Sequence, residues 1–446
     1  MVVSSRPLSA HDLAVLGSRV AGSADEAALA LAADCVLDWV GVATAARQEE
    51  LAAVLCRFEQ YAGGGTASSL ASGATVPPQT AALINGTLAH VLDYDDVMAR
   101  LPGHCGAPVV ASALAVAETA GRSWGAALRG VVAGVEVMCA LGDAWGAALS
   151  RAGWHPTAAL GVFGAAASAA ITLGFDEDAL TRALAGAATG SSGLKHAFGS
   201  HGKSWQVGLA AHNGVLAALA AASGLAVTSD ILDPGAGWPS VYCAREVGES
   251  GSGHDPSPRI HDTVFKRYAA CFATHSAIAA AEGLGLAGTD LGPDARIEIE
   301  VGPQFHDIVT RNADTGLELK FHVGATVALV VLGCDLSDPA LFTDATARRA
   351  DVRSLLERTA VRSNDRLDNV EAIVTVDGGP AGGRSRQEPS PGPPSALERR
   401  ALLDRKLSAV LSPWATPGQV RALRDEVTSR ADDDPVAGLL RATWSW

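Results

Sequence analysis

The chain has 446 residues, of which 48% are apolar, 18% charged and 5% aromatic, enough for a large core and too little charge for a disordered chain. Its length leaves room for roughly two or three domains. Its 34 Lys+Arg against 48 Asp+Glu give a net charge of −14, which argues against a surface built to grip nucleic acid or anionic lipid.

Met1 to Ala10 carry one arginine and no apolar run, so no secretory signal is expected. The seven cysteines (35, 56, 105, 139, 243, 271 and 334) are odd in number and form no C-x-x-C pair. They fit a reduced, cytoplasmic protein better than a disulfide framework, a zinc ribbon or an iron–sulfur cluster. The sequence holds no H-E-x-x-H, Walker A or strand-preceded G-x-G-x-x-G. The expectation is chemistry without metal or cofactor.

In chain order, 24–58, 78–92, 107–149, 156–172, 177–196 and 205–224 alternate small and large apolar positions without strand-like runs, and read as helices. The Ala/Gly-rich stretch 158–175 reads as a buried helix, since such small residues gain little from lipid. The 48 glycines imply helices packed through small residues. A polar Gly/Pro-rich loop at 248–258 marks a boundary. Beyond it, 296–301 and 370–376 read as strands. Residues 323–332 and 345–359 read as helices, 381–395 as a polar loop with four prolines, and 396–411 and 417–430 as helix. The expected fold is mainly α with an α+β second domain. A helical domain (1–258) would be completed by 395–446, with a smaller α+β lid at 259–394.

Four segments could carry chemistry. His90-Val-Leu-Asp-Tyr-Asp-Asp96 ends a helix in three carboxylates, and a loop bearing His104 follows. Carboxylates at a helix C-terminus oppose the macrodipole and one another, so a cation or histidine should answer them. Gly153-Trp-His-Pro-Thr157 puts His155 at an N-cap, where the dipole favours neutral imidazole. Lys195, His196, His201 and Lys203 form a basic island in an acidic chain. Lys266-Arg267 could clamp carboxylates, with Cys271 and His275 following on the same segment. The Cys271 thiol reads more simply as a small buried filler than as a nucleophile. Lys320-Phe-His322 is a weaker candidate of the same kind. Acidic, imidazole and cationic groups without a phosphate loop suit proton abstraction next to a carboxylate, where cations stabilise an aci-carboxylate dianion.

The order of these segments resembles one family. LDYDD followed by GHCGAPVVASALAVAE, then GWHPTAALGVFGAAASAA, GKSWQVGLAAHNGVLAALAAASG and FKRYAACFATHSAIAAA are similar to collinear motifs of the MmgE/PrpD family. That family includes 2-methylcitrate dehydratase, cis-aconitate decarboxylase and iminodisuccinate epimerase. The resemblance implies a helical domain from both chain ends, an α+β lid, a homodimer, an interdomain active site and no cofactor. Carried over by motif, the catalytic positions are Asp93, His104, His155, Lys203 and Lys266, and His275 matches the end of the last motif; Arg267, Cys271 and His275 are the candidates to contact substrate. It implies a lyase, foremost a dehydratase, acting on a small anionic substrate. His155 or His104 would serve as base and acid, Lys203 and Lys266 would bind carboxylate, and Asp93 would orient a histidine. Decarboxylation, epimerisation and a repurposed binding protein are the alternatives. Three departures stand out: Val97-Met98 where Thr-His is usual, Cys105-Gly106 for Pro-Ser, and Ala269 for a proline. A tricarboxylate needs several anion-binding groups, and here some polar positions have become apolar or small.

Overall fold

Small residues set how closely the helices of this chain can approach. The computed structural model describes residues 8–98, 101, 103–243, 257–368, 371–389 and 392–443. Its first part holds α1 (Ala10–Ser23), α2 (Glu26–Ala45), α3 (Glu50–Phe58), α4 (Pro78–Val91), α5 (Gly106–Ala120), α6 (Trp124–Leu141), α7 (Pro156–Leu173), α8 (Glu177–Thr189) and α9 (His201–Ala222). Helix α7 is the axis, packed by α5, α6 and α9, while α4 lies against α9. A Cβ on Gly134 of α6 would sit 2.6 Å from the Gly164 carbonyl oxygen of α7, so only glycine permits this approach. By length and apolarity alone, Glu26–Gln48, Trp124–Arg151 and Pro156–Leu173 could cross a membrane; in the fold 78–89% of each apolar window is buried in protein.

The stretch read as one helix over 107–149 is divided. Gly121 adopts φ +60° and ends α5, and Ser123 caps α6 by accepting from the Ala126 amide. The 24–58 stretch likewise breaks between α2 and α3. Helix α8 stops at Thr189, short of 196, and α9 begins at His201, with Ser200 as its cap.

The later part contains α10 (His275–Gly283), β1 (Arg296–Val301), α11 (Val323–Val331), α12 (Ala350–Glu357), β2 (Thr359–Ser363), β3 (Ala372–Asp377) and β4 (Arg384–Glu388). The sheet order is β2-β1-β3-β4, with β1 parallel to β2 and antiparallel to β3. Ile297, Ile299 and Val301 face Val376, Val374 and Ala372 across the β1–β3 pair, and all six are buried. Helix α10 covers β3 and β4.

Two expectations need correction here. Residues 381–395 are not all loop, because 384–388 form the edge strand β4; its polar, exposed side chains gave no apolar alternation to read. The helix expected over 345–359 is two short helices, Asp344–Ala347 and α12, and Thr359 already begins β2. The loop at 248–258 lies outside the described residues except for 257 and 258, as does residue 370 at the start of the expected strand. Helices α13 (Ala396–Leu411) and α14 (Pro417–Ser429) return to pack on α2. The fold is mainly α with an α+β part.

Candidate active site

Helix α4 ends at Val91, and the chain turns through three carboxylates that other elements answer with cations and imidazoles. Asp93 has φ +51°, the only positive φ at a non-glycine among the described residues. That conformation costs on the order of 1–2 kcal/mol for an L-residue. Lys266 holds it: its Nζ donates to the Asp93 carbonyl at 2.7 Å, to Asp93 Oδ1 at 2.9 Å and to the Ala270 carbonyl at 3.2 Å. Lys203 Nζ donates to the same Oδ1 at 2.9 Å. Burial alone would raise the Asp93 carboxyl, but these two ammonium groups hold it well below the usual carboxylate range.

Asp95 takes the histidines. Its Oδ2 lies 2.8 Å from His90 Nδ1 and 3.1 Å from His104 Nδ1. His104 Nε2 is 3.6 Å from Asp93 Oδ1, beyond a hydrogen bond. The expectation that Asp93 orients a histidine is therefore corrected: Asp93 faces lysines, and Asp95 bridges two imidazoles. Burial pushes His104 down to about 4, against the pull of Asp95, so its ring is neutral at pH 7. His104 Nδ1 lies 3.1 Å from Asp95 Oδ2 without completing a hydrogen bond; a proton on Nδ1, toward that carboxylate, would leave the lone pair of the neutral ring on Nε2.

His155 has the opposite tautomer. It caps α7, and its Nδ1 lies 2.6 Å from Gln206 Nε2. The amide orientation is fixed, because Leu194 N–H donates to Gln206 Oε1 at 2.9 Å and the Leu194 carbonyl accepts from Nε2 at 3.2 Å. Nδ1 must then accept, and the ring proton sits on Nε2. Burial first, then Lys203 and the neighbouring histidines, hold His155 well below the usual imidazole range. Gln206 lies three residues after Lys203 on one face of α9, so that face places both groups.

Asp96 accepts from the Gly106 amide at 3.0 Å, and burial together with Asp38 and Asp95 raises it to about 8. Lys406 of α13 reaches Asp38 at 2.5 Å, donates to the Tyr94 carbonyl and lies 4.4 Å from the Tyr94 ring centre. The C-terminal helix thus braces the turn that carries the carboxylates.

A cavity of about 110 Å³ opens beside these groups. Of the sequence candidates, Asp93, His104, His155, Lys203 and Cys271 line it, and Lys195 joins them. Lys266 and His275 stand behind. Lys266 is fully buried with its three N–H groups engaged, so it holds Asp93 and is not placed to bind carboxylate. His275 Nε2 lies 3.3 Å from the Ala270 carbonyl. The Arg267 side chain is 66% exposed beside Glu282 and is not in the lining. Burial, then Asp93, pushes the Cys271 thiol up to about 11, which keeps it a thiol. Lys320 donates to the Leu92 carbonyl and His322 caps α11, while Phe321 between them lines the cavity.

Of the three departures, Val97 lines the cavity. Cys105 is buried 3.9 Å from Cys139 Sγ, and the Ala269 amide donates to the Leu336 carbonyl, a bond proline could not make. Among the described residues, His90, Asp95 and His104 alone have metal-ligand spacing, with one donor atom each inside 4.8 Å. His90 Nδ1 is hydrogen-bonded to Asp95 Oδ2, and His104 Nδ1 lies 3.1 Å from the same oxygen without completing a hydrogen bond. Asp95 belonged to the carboxylate cluster that the sequence marks, but was not assigned a role there, while Gln206 and Lys406 were not singled out. Gln206 had a usable signal, its i+3 spacing from Lys203.

Residues 17–249, more than half of the chain, match the MmgE/PrpD N-terminal domain. The chain belongs to the MmgE/PrpD family. Its curated relatives include the cis-aconitate decarboxylase of Aspergillus terreus, 28% identical over 244 residues, which are 49% of this chain and 48% of that protein. The human cis-aconitate decarboxylase is 28% identical over 215 residues, 45% of this chain and 43% of the relative. A cis-aconitate decarboxylase-like protein of Aspergillus oryzae, oryM, is 28% identical over 188 residues, 40% of this chain and 38% of its own. The matched stretch spans about half or less of each relative's length. The four sequence motifs carrying Asp93, His104, His155, Lys203 and Lys266 thus lie in a member of the family they resemble.

Proposed function

We propose that this chain is a cofactor-independent lyase that removes a proton from the carbon next to a carboxylate, foremost to eliminate water. The observation that carries this reading is a pair of buried imidazoles at one cavity, His104 beside Asp95 and His155 hydrogen-bonded to Gln206. With the His104 proton assigned to Nδ1, toward Asp95, His104 offers a lone pair at Nε2 and His155 offers an N–H.

In this reaction His104 Nε2 takes the α-proton, and the electron pair moves into the substrate carboxylate as an aci-carboxylate dianion. Lys203 and the His155 N–H stabilise the charge that develops there. A neutral imidazole that gave up its proton would become imidazolate, so His155 acts as a hydrogen-bond donor and not as the proton source. The C–O bond to the leaving hydroxyl then breaks, the carbon–carbon double bond forms, and the proton on His104 leaves with the hydroxyl as water. His104 returns to its neutral state, so the cycle balances. Asp95 and Gln206 are positioning residues that fix the two tautomers.

Similarity to cis-aconitate decarboxylases supports a second reading, in which a C–C bond breaks, carbon dioxide leaves and the carbanion takes a proton. A thermal-shift screen of carboxylic acids, followed by turnover of the hits, distinguishes them. Elimination or hydration without carbon dioxide release is expected, and both His104→Ala and His155→Ala should lose turnover. Carbon dioxide release selects decarboxylation, and interconversion of stereoisomers selects epimerisation. Unchanged turnover in His155→Ala would overturn its assignment, and binding without any reaction would make the chain a repurposed binding protein.

A further inference from the structure

The apolar lining of the cavity includes Met98, Leu101, Phe198, Phe305, Ile308 and Phe321. These side chains come from both the helical part and the α+β part of the fold. Met98 and Leu101 are each 2% exposed, while Phe198 and Phe305 are partly buried. The Phe198 and Phe321 rings also flank Lys203, whose ammonium lies 5.6 and 5.2 Å from their centres. Lys203 therefore sits where the polar and aromatic parts of the lining meet.

Charge is limited. Among the described residues, the lining holds two ammonium groups, Lys195 and Lys203, and one carboxylate, Asp93, already paired with Lys203. Lys195 donates two of its three N–H groups to the Ser150 carbonyl and hydroxyl, at 2.9 and 3.1 Å. That balance suits one negative charge. Size points the same way: at about 10–15 Å³ of such space per water, the cavity of about 110 Å³ takes on the order of seven to eleven non-hydrogen atoms. A tricarboxylate would set its further carboxylates against phenyl and branched aliphatic groups, where an unpaired charge is costly.

Resting on the reading of this cavity as the substrate site, we infer that the substrate is a monocarboxylate with an apolar tail. The carboxylate lies at Lys203 and the His155 N–H, and the tail lies along the Phe305, Ile308 and Phe321 wall. Val97, one of the three departures, lines the same cavity and adds to its apolar surface.

Calorimetric titration of the whole chain with acetate, butanoate, hexanoate and 3-phenylpropanoate, and with tricarballylate and citrate, tests this. Affinity should rise about fourfold per buried methylene, with the two polyacids weaker than hexanoate. Phe305→Ser should flatten the chain-length series, with a retained thermal transition as the control for folding. A flat series, tighter tricarballylate or citrate, or no binding by any acid overturns the inference. Chain-length-dependent binding with no deuterium exchange at the α-carbon in heavy water supports the ligand class and sinks the lyase reading. Exchange into a tricarboxylate does the reverse.

Discussion

Replacing Gln206 by glutamate changes one donor into an acceptor without changing the shape of the side chain. In the wild-type site the Gln206 amide, held by both polar groups of Leu194, forces His155 Nδ1 to accept and so puts the proton on Nε2. A carboxylate at 206 would instead accept from Nδ1–H, and the neutral ring would turn a lone pair toward the cavity. The donor to the developing oxyanion is lost, an effect of about 2.7–4 kcal/mol, or roughly 10²–10³ in turnover. The carboxylate also raises the pKa of His155. As pH falls through that raised value, the ring becomes imidazolium, Nε2 regains its proton and activity should recover. Gln206→Glu is therefore expected to lose about two to three orders of magnitude at pH 8 and to regain much of it near pH 6. The wild type should be flat over that range, because burial keeps both cavity histidines neutral. Nitrogen-15 NMR of histidine-labelled protein reads the tautomers without substrate. A wild-type His155 protonated at Nδ1, or a Gln206→Glu rate equal to wild type at pH 8, would refute the argument.

Lys406→Met should destabilise the fold by about 3–5 kcal/mol in urea titration, since it strands the buried Asp38 and frees the Tyr94 turn. His104 and His275 have folded pKa values of about 4 and about 3, both below the unfolded value near 6.5. The unfolded chain then binds more protons below pH 6.5, so stability should be full above that pH, fall progressively as pH drops from 6.5 and level off below about 3. The His104 contribution alone is about 3 kcal/mol, checked by melting temperature against pH. The rate should likewise lose its base on an acid limb near pH 4 instead of 6.5. Exhaustive treatment with a chelator should leave turnover unchanged; loss restored by a divalent metal would make His90, Asp95 and His104 a ligand set.

Helices were legible where apolar spacing and caps agreed. The Pro156 start placed His155 at the N-cap, and the lack of proline between 205 and 224 carried α9. The division at Gly121–Ser123 was missed because the apolar pattern runs on either side of it, although a glycine and a capping serine mark it. Strand β4 was missed because an exposed edge has no apolar face to display. At the site, the cost of three adjacent carboxylates correctly implied that cations and imidazoles would answer them. Which group answers which carboxylate depends on the turn at Asp93 and on Lys266 and Lys406, which lie 173 and 312 residues along the chain from their partners. No local spacing encodes that. The role of Lys266 also changes on this account, since a saturated ammonium cannot serve a substrate.

The most direct test is the deuterium content of the carbon next to the carboxylate, read by mass spectrometry after a bound acid is incubated with the chain in heavy water. The account predicts deuterium at that carbon with the wild type and none with His104→Ala. No incorporation into any acid that binds, or equal incorporation with His104→Ala, would contradict it.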